Sequence, residues 1–171
     1  MATCTLTAGI PLACLESTGG IKNVYIAAFE EAATFTLTAD VITASTSSET
    51  FYTFKFRPQT ASLNEEGTHS QENGTNFWTQ NLAMIFHKME TSKRNNLLLL
   101  AGTQMHVIVE TQNGDYWLLG KENGAYLTAS TSTTGQGYGD LSGYNVTITG
   151  TEPKFATEMD STTFGLLTVS A

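Results

Sequence analysis

The chain has 171 residues, and its 16 aspartates and glutamates outnumber its 8 lysines and arginines, giving a formal net charge of −8 at pH 7. This length suits one domain with a sizeable core. The charge argues against a nucleic-acid-binding protein, because phosphates are repelled and only Lys93 and Arg94 are adjacent cations. No apolar run approaches the roughly 20 residues of a membrane span, which predicts a soluble protein, and we expect no export signal.

Residues 1–20 combine short apolar patches with Pro11 and no sustained period, which predicts an extended N-terminal arm ahead of a single domain at 21–171. Cys4 and Cys14 are the only cysteines. They are either small buried residues or partners in a disulfide that closes a short loop. A structural metal site would need more ligands, typically four.

Alternating apolar and polar residues predict strands at 22–29, 34–38 and 50–57. In the third of these, Tyr52, Phe54 and Phe56 are expected on the buried face, and Pro58 ends the strand. Residues 59–75 have few apolar side chains, which predicts a long exposed loop or a protruding hairpin.

The period of two then runs unusually far, from residue 76 to 89, against the usual strand of roughly 5–6 residues. We expect this strand to bend or to project beyond its own domain. A short helix follows at 93–101, with Thr91 or Ser92 as its N-cap and Gly102 in a left-handed C-terminal position. Four consecutive leucines make it apolar almost all round, so it must be covered on several sides. Lys93 and Arg94 are unfavourable near the positive end of the helix dipole. Either this end of the helix is solvated, or the helix starts at a different residue, or carboxylates of a partner compensate the charge.

Beyond the helix, strands at 104–110, 115–121 and 125–129 are joined by Asn-Gly pairs at 113–114 and 123–124, which are typical of type I′ hairpin turns. Residues 130–142 are rich in Ser, Thr and Gly, which predicts a second long loop. Further strands are expected at 144–149 and 164–169. The fold class is therefore mainly β, an antiparallel β-sandwich or barrel of about eight to ten strands with one short helix.

We find no pattern that indicates catalysis or a cofactor. His69, His87 and His106 lie without carboxylates at metal-ligand spacing. The glycines at 135, 137 and 139 precede no helix or Lys-Ser/Thr pair that would hold a phosphate. We therefore predict no enzyme activity, no cofactor and no metal. Charged residues make up only 14% of the chain, and charged residues are depleted in interface cores, which favours association with other subunits.

The order of these elements resembles the tail tube proteins of bacteriophages. Residues 14–22 (CLESTGGIK) and 143–150 (GYNVTITG) also look like stretches of structural proteins from phages of Bacteroidetes-type hosts. The resemblance implies a homo-oligomeric ring, usually a hexamer, that stacks within a virion tail together with other tail proteins. The subunit would be made in the host cytoplasm, and DNA would pass through the channel without specific binding.

In such an assembly the residues 59–75 and the N-terminal arm would be the contacts between rings. The overlong strand and the leucine-rich helix mark further candidates for subunit interfaces. The candidate interface residues are Leu97, Leu98, Leu99, Leu100, Trp78, Glu65, Glu66, Lys93 and Arg94.

Two alternatives stay open. Within the same class, the chain could be a capsid decoration protein or a connector ring. In another class, it could be a monomeric carbohydrate-binding β-sandwich whose aromatic residues stack on sugars. The aromatic candidates are Trp78, Trp117, Tyr116 and Tyr138.

Overall fold

The computed structural model describes residues 8–12 and 15–170. Cys4 and Cys14 lie outside these residues. The described residues form twelve strands and two helices, so the prediction of a mainly β fold is confirmed. The strands are β1 Ile21–Ala28, β2 Phe35–Thr38, β3 Val41–Ser45, β4 Phe51–Phe54, β5 Ala61–Ser70, β6 Thr75–His87, β7 Met105–Thr111, β8 Tyr116–Leu119, β9 Ala125–Thr133, β10 Gly143–Glu152, β11 Thr157–Met159 and β12 Val169–Ser170. The helices are α1 Thr91–Ala101 and α2 Ser161–Leu166.

The strands form a sheet that folds back on itself at β7. One layer has the order β5-β6-β10-β9, and β9 joins β7 through the pair Ala125 and Met105. The other layer contains β4-β1-β7-β8, and β8 continues through β11 to β3 and β2. Most pairs are antiparallel, whereas β11 with β3 and β12 with β4 are parallel.

The main core lies between these layers. Alternate residues of β6 and β10 face alternate residues of β1 and β7, as the two-residue period of a strand requires. The buried members include Leu82, Met84, Ile148, Val24 and Val107. A second, smaller core lies on the opposite face of β1 and β7, where Tyr25 and Ile108 pack with Phe51, Leu118 and Met159.

The 50–57 strand is shorter than expected, and the expected burial of Tyr52 is wrong. In β4, Phe51 is fully buried in the second core, while the Tyr52 side chain is 57% exposed. Tyr52 is exposed because of how other elements pack on the two sides of β4. Phe51 faces the second core, whereas Tyr52 lines an open groove beside α1.

Helix α1 exists as predicted, but both of its expected caps are wrong. The N-cap is Glu90 rather than Thr91 or Ser92, and its side chain makes no capping hydrogen bond. Gly102 has φ −104°, which is not left-handed. The last turn closes through the Gly102 and Thr103 N–H groups, which donate to the Leu99 and Leu100 carbonyls, and the Thr103 hydroxyl also donates to the Leu99 carbonyl over 2.8 Å.

A hairpin forms at Asn113-Gly114, but the hairpin predicted at Asn123-Gly124 is wrong, because β8 and β9 lie on either side of β7 and do not pair with each other. Neither Asn-Gly pair has the backbone of a type I′ turn. Gly114 and Gly124 have positive φ, whereas Asn113 and Asn123 do not. The Gly114 N–H donates to the Thr111 carbonyl, so the asparagine keeps ordinary backbone angles and only the glycine is left-handed.

Of the two alternatives for residues 59–75, the hairpin is confirmed, because residues 61–70 form β5 and pair with β6. The second predicted loop is shorter than expected, at 134–142, because β9 extends to Thr133. The strand predicted at 164–169 is wrong, because residues 164–166 belong to α2, a second helix. The Asp160 carboxylate caps α2 by accepting a hydrogen bond from the Thr162 N–H.

Candidate assembly surface

The outward side of the β5-β6-β10-β9 layer is a broad polar face. Its strands pair residue against residue across the whole layer. Most of its side chains are hydroxyls and amides, and of the described residues on it only Glu66 is charged. The polar face consists of Ser62, Asn64, Glu66, Thr68, Phe77, Thr79, Asn81, Ala83, Ile85, Asn145, Thr147, Thr149, Thr151, Tyr126, Thr128, Ala129, Thr131 and Thr133.

Side chains of the polar face are hydrogen-bonded to each other across the strands. The Thr128 and Thr149 hydroxyl oxygens lie 2.9 Å apart, and the Thr149 hydroxyl donates to Asn81 Oδ1 over 2.9 Å. Asn81 stands opposite Asn64 in the register of β5 and β6. These hydrogen bonds join uncharged polar groups to one another, so the face is hydrophilic and carries little fixed charge.

Both edges of this layer are open within the part of the chain that the structure describes. β5 pairs with β6 alone, and beyond Ala125 β9 pairs with β10 alone. An edge strand with unpaired N–H and C=O groups is a ready template for pairing with another chain. Lysine and proline are two of the devices that protect such edges, and β5 and β9 contain neither.

The tip of the β5–β6 hairpin extends past its neighbour. β10 ends at Glu152 opposite Trp78, so Thr75 to Phe77 pair only with β5. The Trp78 and Phe155 rings lie 3.4 Å apart between centroids, and Gly67 opposite has no side chain to obstruct the indole.

The two predicted glutamates of this hairpin differ in their surroundings. Glu65 Oε1 accepts from the Ala156 N–H over 2.7 Å, and burial raises the pKa of this carboxyl. Glu66 is exposed and accepts from the Asn64 amide. Glu65, like Trp78, is thus held by contacts within the chain.

The four leucines of α1 divide between core and surface. Leu97 is buried in the main core and Leu100 packs against it, whereas Leu98 and Leu99 are 65% and 72% exposed. Leu99 lines an open, mainly apolar groove of about 500 Å³ between α1 and the strands β1 and β4. Its other apolar walls include Ile26, Tyr52, Phe54, Phe86, Leu100 and Met105.

Cations gather at one end of this groove. A smaller cavity of about 330 Å³ shares Lys55, Phe86 and Lys93 with the groove and adds Arg57 and Lys88. Four of the chain's 8 lysines and arginines therefore meet here. Sequence reasoning missed this cluster, because its members come from two segments that tertiary packing brings together, as the Phe54 and Phe86 rings with centroids 6.2 Å apart show.

Glu90 supplies the carboxylate that the start of α1 needs. It bridges Lys88 at 2.6 Å and Lys93 at 3.3 Å. Hydrogen bonds from these two lysines lower the pKa of Glu90. Lys93 Nζ also donates to the His87 carbonyl over 2.8 Å, while Arg94 is exposed. The unfavourable position of Lys93 on the helix dipole is thus compensated within the chain.

A buried carboxylate fixes the start of β1 where the arm joins the body. Glu110 on β7 accepts hydrogen bonds from Lys22 at 2.6 Å, Asn23 at 2.8 Å and Tyr25 at 2.7 Å. Burial alone would raise the pKa of Glu110, but these three donors outweigh it and lower the pKa.

The last residues of the arm are held at the β7–β8 turn. The side-chain amide of Asn113 accepts from the Thr18 N–H over 2.8 Å and donates to the Ser17 hydroxyl over 3.1 Å. Before these contacts, the apolar side chains of Ile10, Leu12 and Leu15 are fully exposed.

The aromatic residues proposed for sugar stacking do not form one platform. Tyr116 is stacked on Phe164 with 4.2 Å between ring centroids, Trp117 packs on the main core, and Trp78 contacts Phe155. Of the four, Tyr138 alone is fully exposed. No helix among the described residues is long and apolar enough to cross a membrane.

Comparisons with known proteins give limited similarity. No protein-family model matches the chain, and no curated protein matches it in sequence. One similar solved structure is from the virion of a native gene transfer agent particle: 13% identity, 58% of this chain and 81% of that chain covered, TM-score 0.33. Another is from the C6-symmetric tail of an empty gene transfer agent particle: 13% identity, 53% and 72% covered, TM-score 0.30. These scores do not establish a shared fold.

Proposed function

We propose that this chain is a structural subunit of a phage-like virion, and specifically that it builds the stacked rings of a tail tube around a DNA-conducting channel. The observation that carries the proposal is the four-stranded layer with two open edges and an almost uncharged polar face. The resemblance of the sequence to tail tube proteins gives the same assignment and implies a hexamer.

The ring would close by pairing the β5 edge of one copy with the β9 edge of the next. These are different strands on opposite sides of one layer, so each copy offers one edge of each kind. A contact between two different surfaces is heterologous, and it generates a ring when the rotation closes. Both open edges of this layer would then be paired, which removes the aggregation hazard of its two long edge strands.

In this ring we place the polar face toward the channel, because the other side of the layer is covered by the main core. DNA binding depends mainly on cations that neutralise phosphates, and the described residues of this face carry no lysine or arginine. Glu66 and the overall charge of −8 oppose adhesion further. Hydroxyl and amide groups keep the wall hydrated, so DNA can slide. Successive rings would meet through the hairpin tip and the arm.

The test is electron microscopy with light scattering on the purified protein over a wide concentration range. We expect rings with a central channel that stack into tubes, and tubes that retain no double-stranded DNA at physiological salt. A monomer at every concentration would refute the proposal. Isolated rings that never stack would favour a connector ring, and tubes that bind DNA tightly would refute the role of the polar face.

A further inference from the structure

The hairpin of β5 and β6 has acidic residues but no cations. Its residues 59–87 contain three glutamates and neither lysine nor arginine. Glu72 lies in the turn at the tip, where it is exposed. Because β10 ends opposite Trp78, the tip projects beyond the neighbouring strand. The hairpin therefore presents a carboxylate at a protruding end of the layer.

The other end of β6 carries cations. The last two residues of β6 line the cavity of about 330 Å³, which we call the cationic cavity. Of its four cations, Lys88 and Lys93 share the Glu90 carboxylate. Lys55 and Arg57 are exposed and form no ion pair among the described residues. This end of the layer therefore has uncompensated positive charge in a chain whose net charge is −8.

β6 separates the tip from the cationic cavity of the same chain. It is continuous over 13 residues, and it stays in register with β10 from Trp78 to His87. At roughly 3.3 Å per residue, the two ends of β6 lie about 40 Å apart. The tip cannot bend back over this distance without breaking the pairing of β6 with its neighbours. A contact between Glu72 and the cationic cavity therefore requires a second copy.

The ring described above would place these two ends on opposite rims. When a ring closes through the edges of its strands, the strands run from one rim to the other, with a tilt of roughly 35–45° in closed barrels. Rings stacked in the same orientation bring the hairpin tips of one ring against the cationic cavities of the next. Rings stacked in opposite orientations would bring like charges together, which costs free energy. The distribution of charge therefore favours head-to-tail stacking.

We propose that the hairpin tip of one subunit docks on the cationic cavity of a subunit in the next ring, where the Glu72 carboxylate pairs with Lys55 and Arg57. This inference rests on the proposed function, because the ring determines which ends meet. The planar guanidinium of Arg57 suits a carboxylate, which it can bind through two parallel hydrogen bonds. One such contact for each subunit repeats around the ring, so the rings stack in a single direction.

Photo-cross-linking tests the contact while Glu72 stays in place. Unlabelled and ¹⁵N-labelled full-length chains, each with the photoreactive substitution Asn73→p-benzoylphenylalanine, are mixed in equal amounts before assembly and irradiated. Mass spectrometry identifies the cross-linked peptides and their isotopes, and electron microscopy of the same sample records rings and tubes. We expect cross-links from position 73 to peptides that contain residues 55–57 or 86–93, with mixed-isotope pairs as frequent as same-isotope pairs.

Charge reversal tests the pairing of the tip with the cavity. Glu72→Arg and Arg57→Glu should each raise the concentration at which rings stack about tenfold or more, because each brings like charges together. The double variant restores opposite charges and should stack close to the wild-type concentration. Two controls should stack as the wild type does: Glu66→Arg, on the same hairpin but away from its tip, and Arg94→Glu, outside the cavity. Thermal unfolding of each variant checks that the fold is retained.

The two readouts fail independently. An absence of rings in electron microscopy would refute the proposed function. An absence of mixed-isotope cross-links to the cavity, with or without rings, would overturn the docking. A double variant that stacks no better than the single variants, or equal losses in Glu66→Arg and Glu72→Arg, would overturn it as well. Mixed-isotope cross-links to the cavity without rings would support the contact and count against the tail tube instead.

Discussion

The open edge of β9 allows ring formation to be tested with two adjacent prolines. Neighbouring residues of a strand direct their N–H groups to opposite sides, so of Ser130 and Thr131 one donates toward β10 and the other toward the open edge. Ser130→Pro and Thr131→Pro each remove one N–H. One variant therefore weakens the fold, and the other weakens only an edge that is free in the single chain.

The size of each effect follows from the hydrogen bonds involved. Pairing along residues 126–133 of β9 would give roughly eight inter-subunit bonds, which contribute about 0.5–1.5 kcal/mol each and so about 4–12 kcal/mol per contact. A proline that loses one bond and leaves its partner unsatisfied costs about 1–3 kcal/mol. That cost raises the concentration for half-assembly roughly 5–150-fold.

The assay combines thermal unfolding at low concentration with light scattering across a concentration series. The edge-side proline should keep the melting temperature of the wild-type chain and raise the concentration for half-assembly roughly 5–150-fold. The proline that breaks the bond to β10 should lower the melting temperature by roughly 2–12 °C. If the variant with the unchanged melting temperature assembles at wild-type concentrations, β9 is not a ring contact.

Three further predictions concern the channel wall and the stability of the fold. Ala83→Lys places a cation on the polar face and should make assembled tubes retain double-stranded DNA at low salt but release it as salt rises. The control Thr36→Lys, on the exposed edge strand β2, should not retain DNA. Filter binding measures the retained DNA. Glu110→Gln should lower the free energy of unfolding by about 1–3 kcal/mol by weakening three hydrogen bonds to a charged group, measured by denaturant titration. Because the pKa of Glu110 is lowered in the fold, its stabilisation is present above the usual carboxyl pKa of about 4.5 and should be lost as pH falls below it, with a flatter acid limb in Glu110→Gln. Burial lowers the pKa of His106, so the unfolded chain takes up a proton first and stability should fall as pH drops below about 6.5; His106→Gln, which can still donate to the Gly120 carbonyl, should lack that slope.

An unchanged acid limb in Glu110→Gln would refute the role of that carboxylate. Equal DNA retention by the β2 variant would show that any added cation suffices, independent of the polar face. For His106, an unaltered slope in the glutamine variant would assign the pH dependence to other groups.

The sequence by itself determined the strands that depend on local alternation. The long β6, the hairpin strands β7 and β8, and β10 follow from a period of two that one buried face imposes. The existence of α1 also follows from local signals. Alternation does not record which side of a strand its neighbours cover, and for that reason Tyr52 was placed on the wrong side.

Only the tertiary structure decided where the strands lie relative to one another, and with it the candidate site. The pairing of β5 and β9 with single neighbours leaves the two open edges, and the meeting of β4 with the end of β6 assembles Lys55, Arg57, Lys88 and Lys93. Sheet order depends on contacts between residues far apart in the chain, which a local period cannot specify. The split of the four leucines into core and surface has the same origin, because it depends on the side from which α1 meets the sheet.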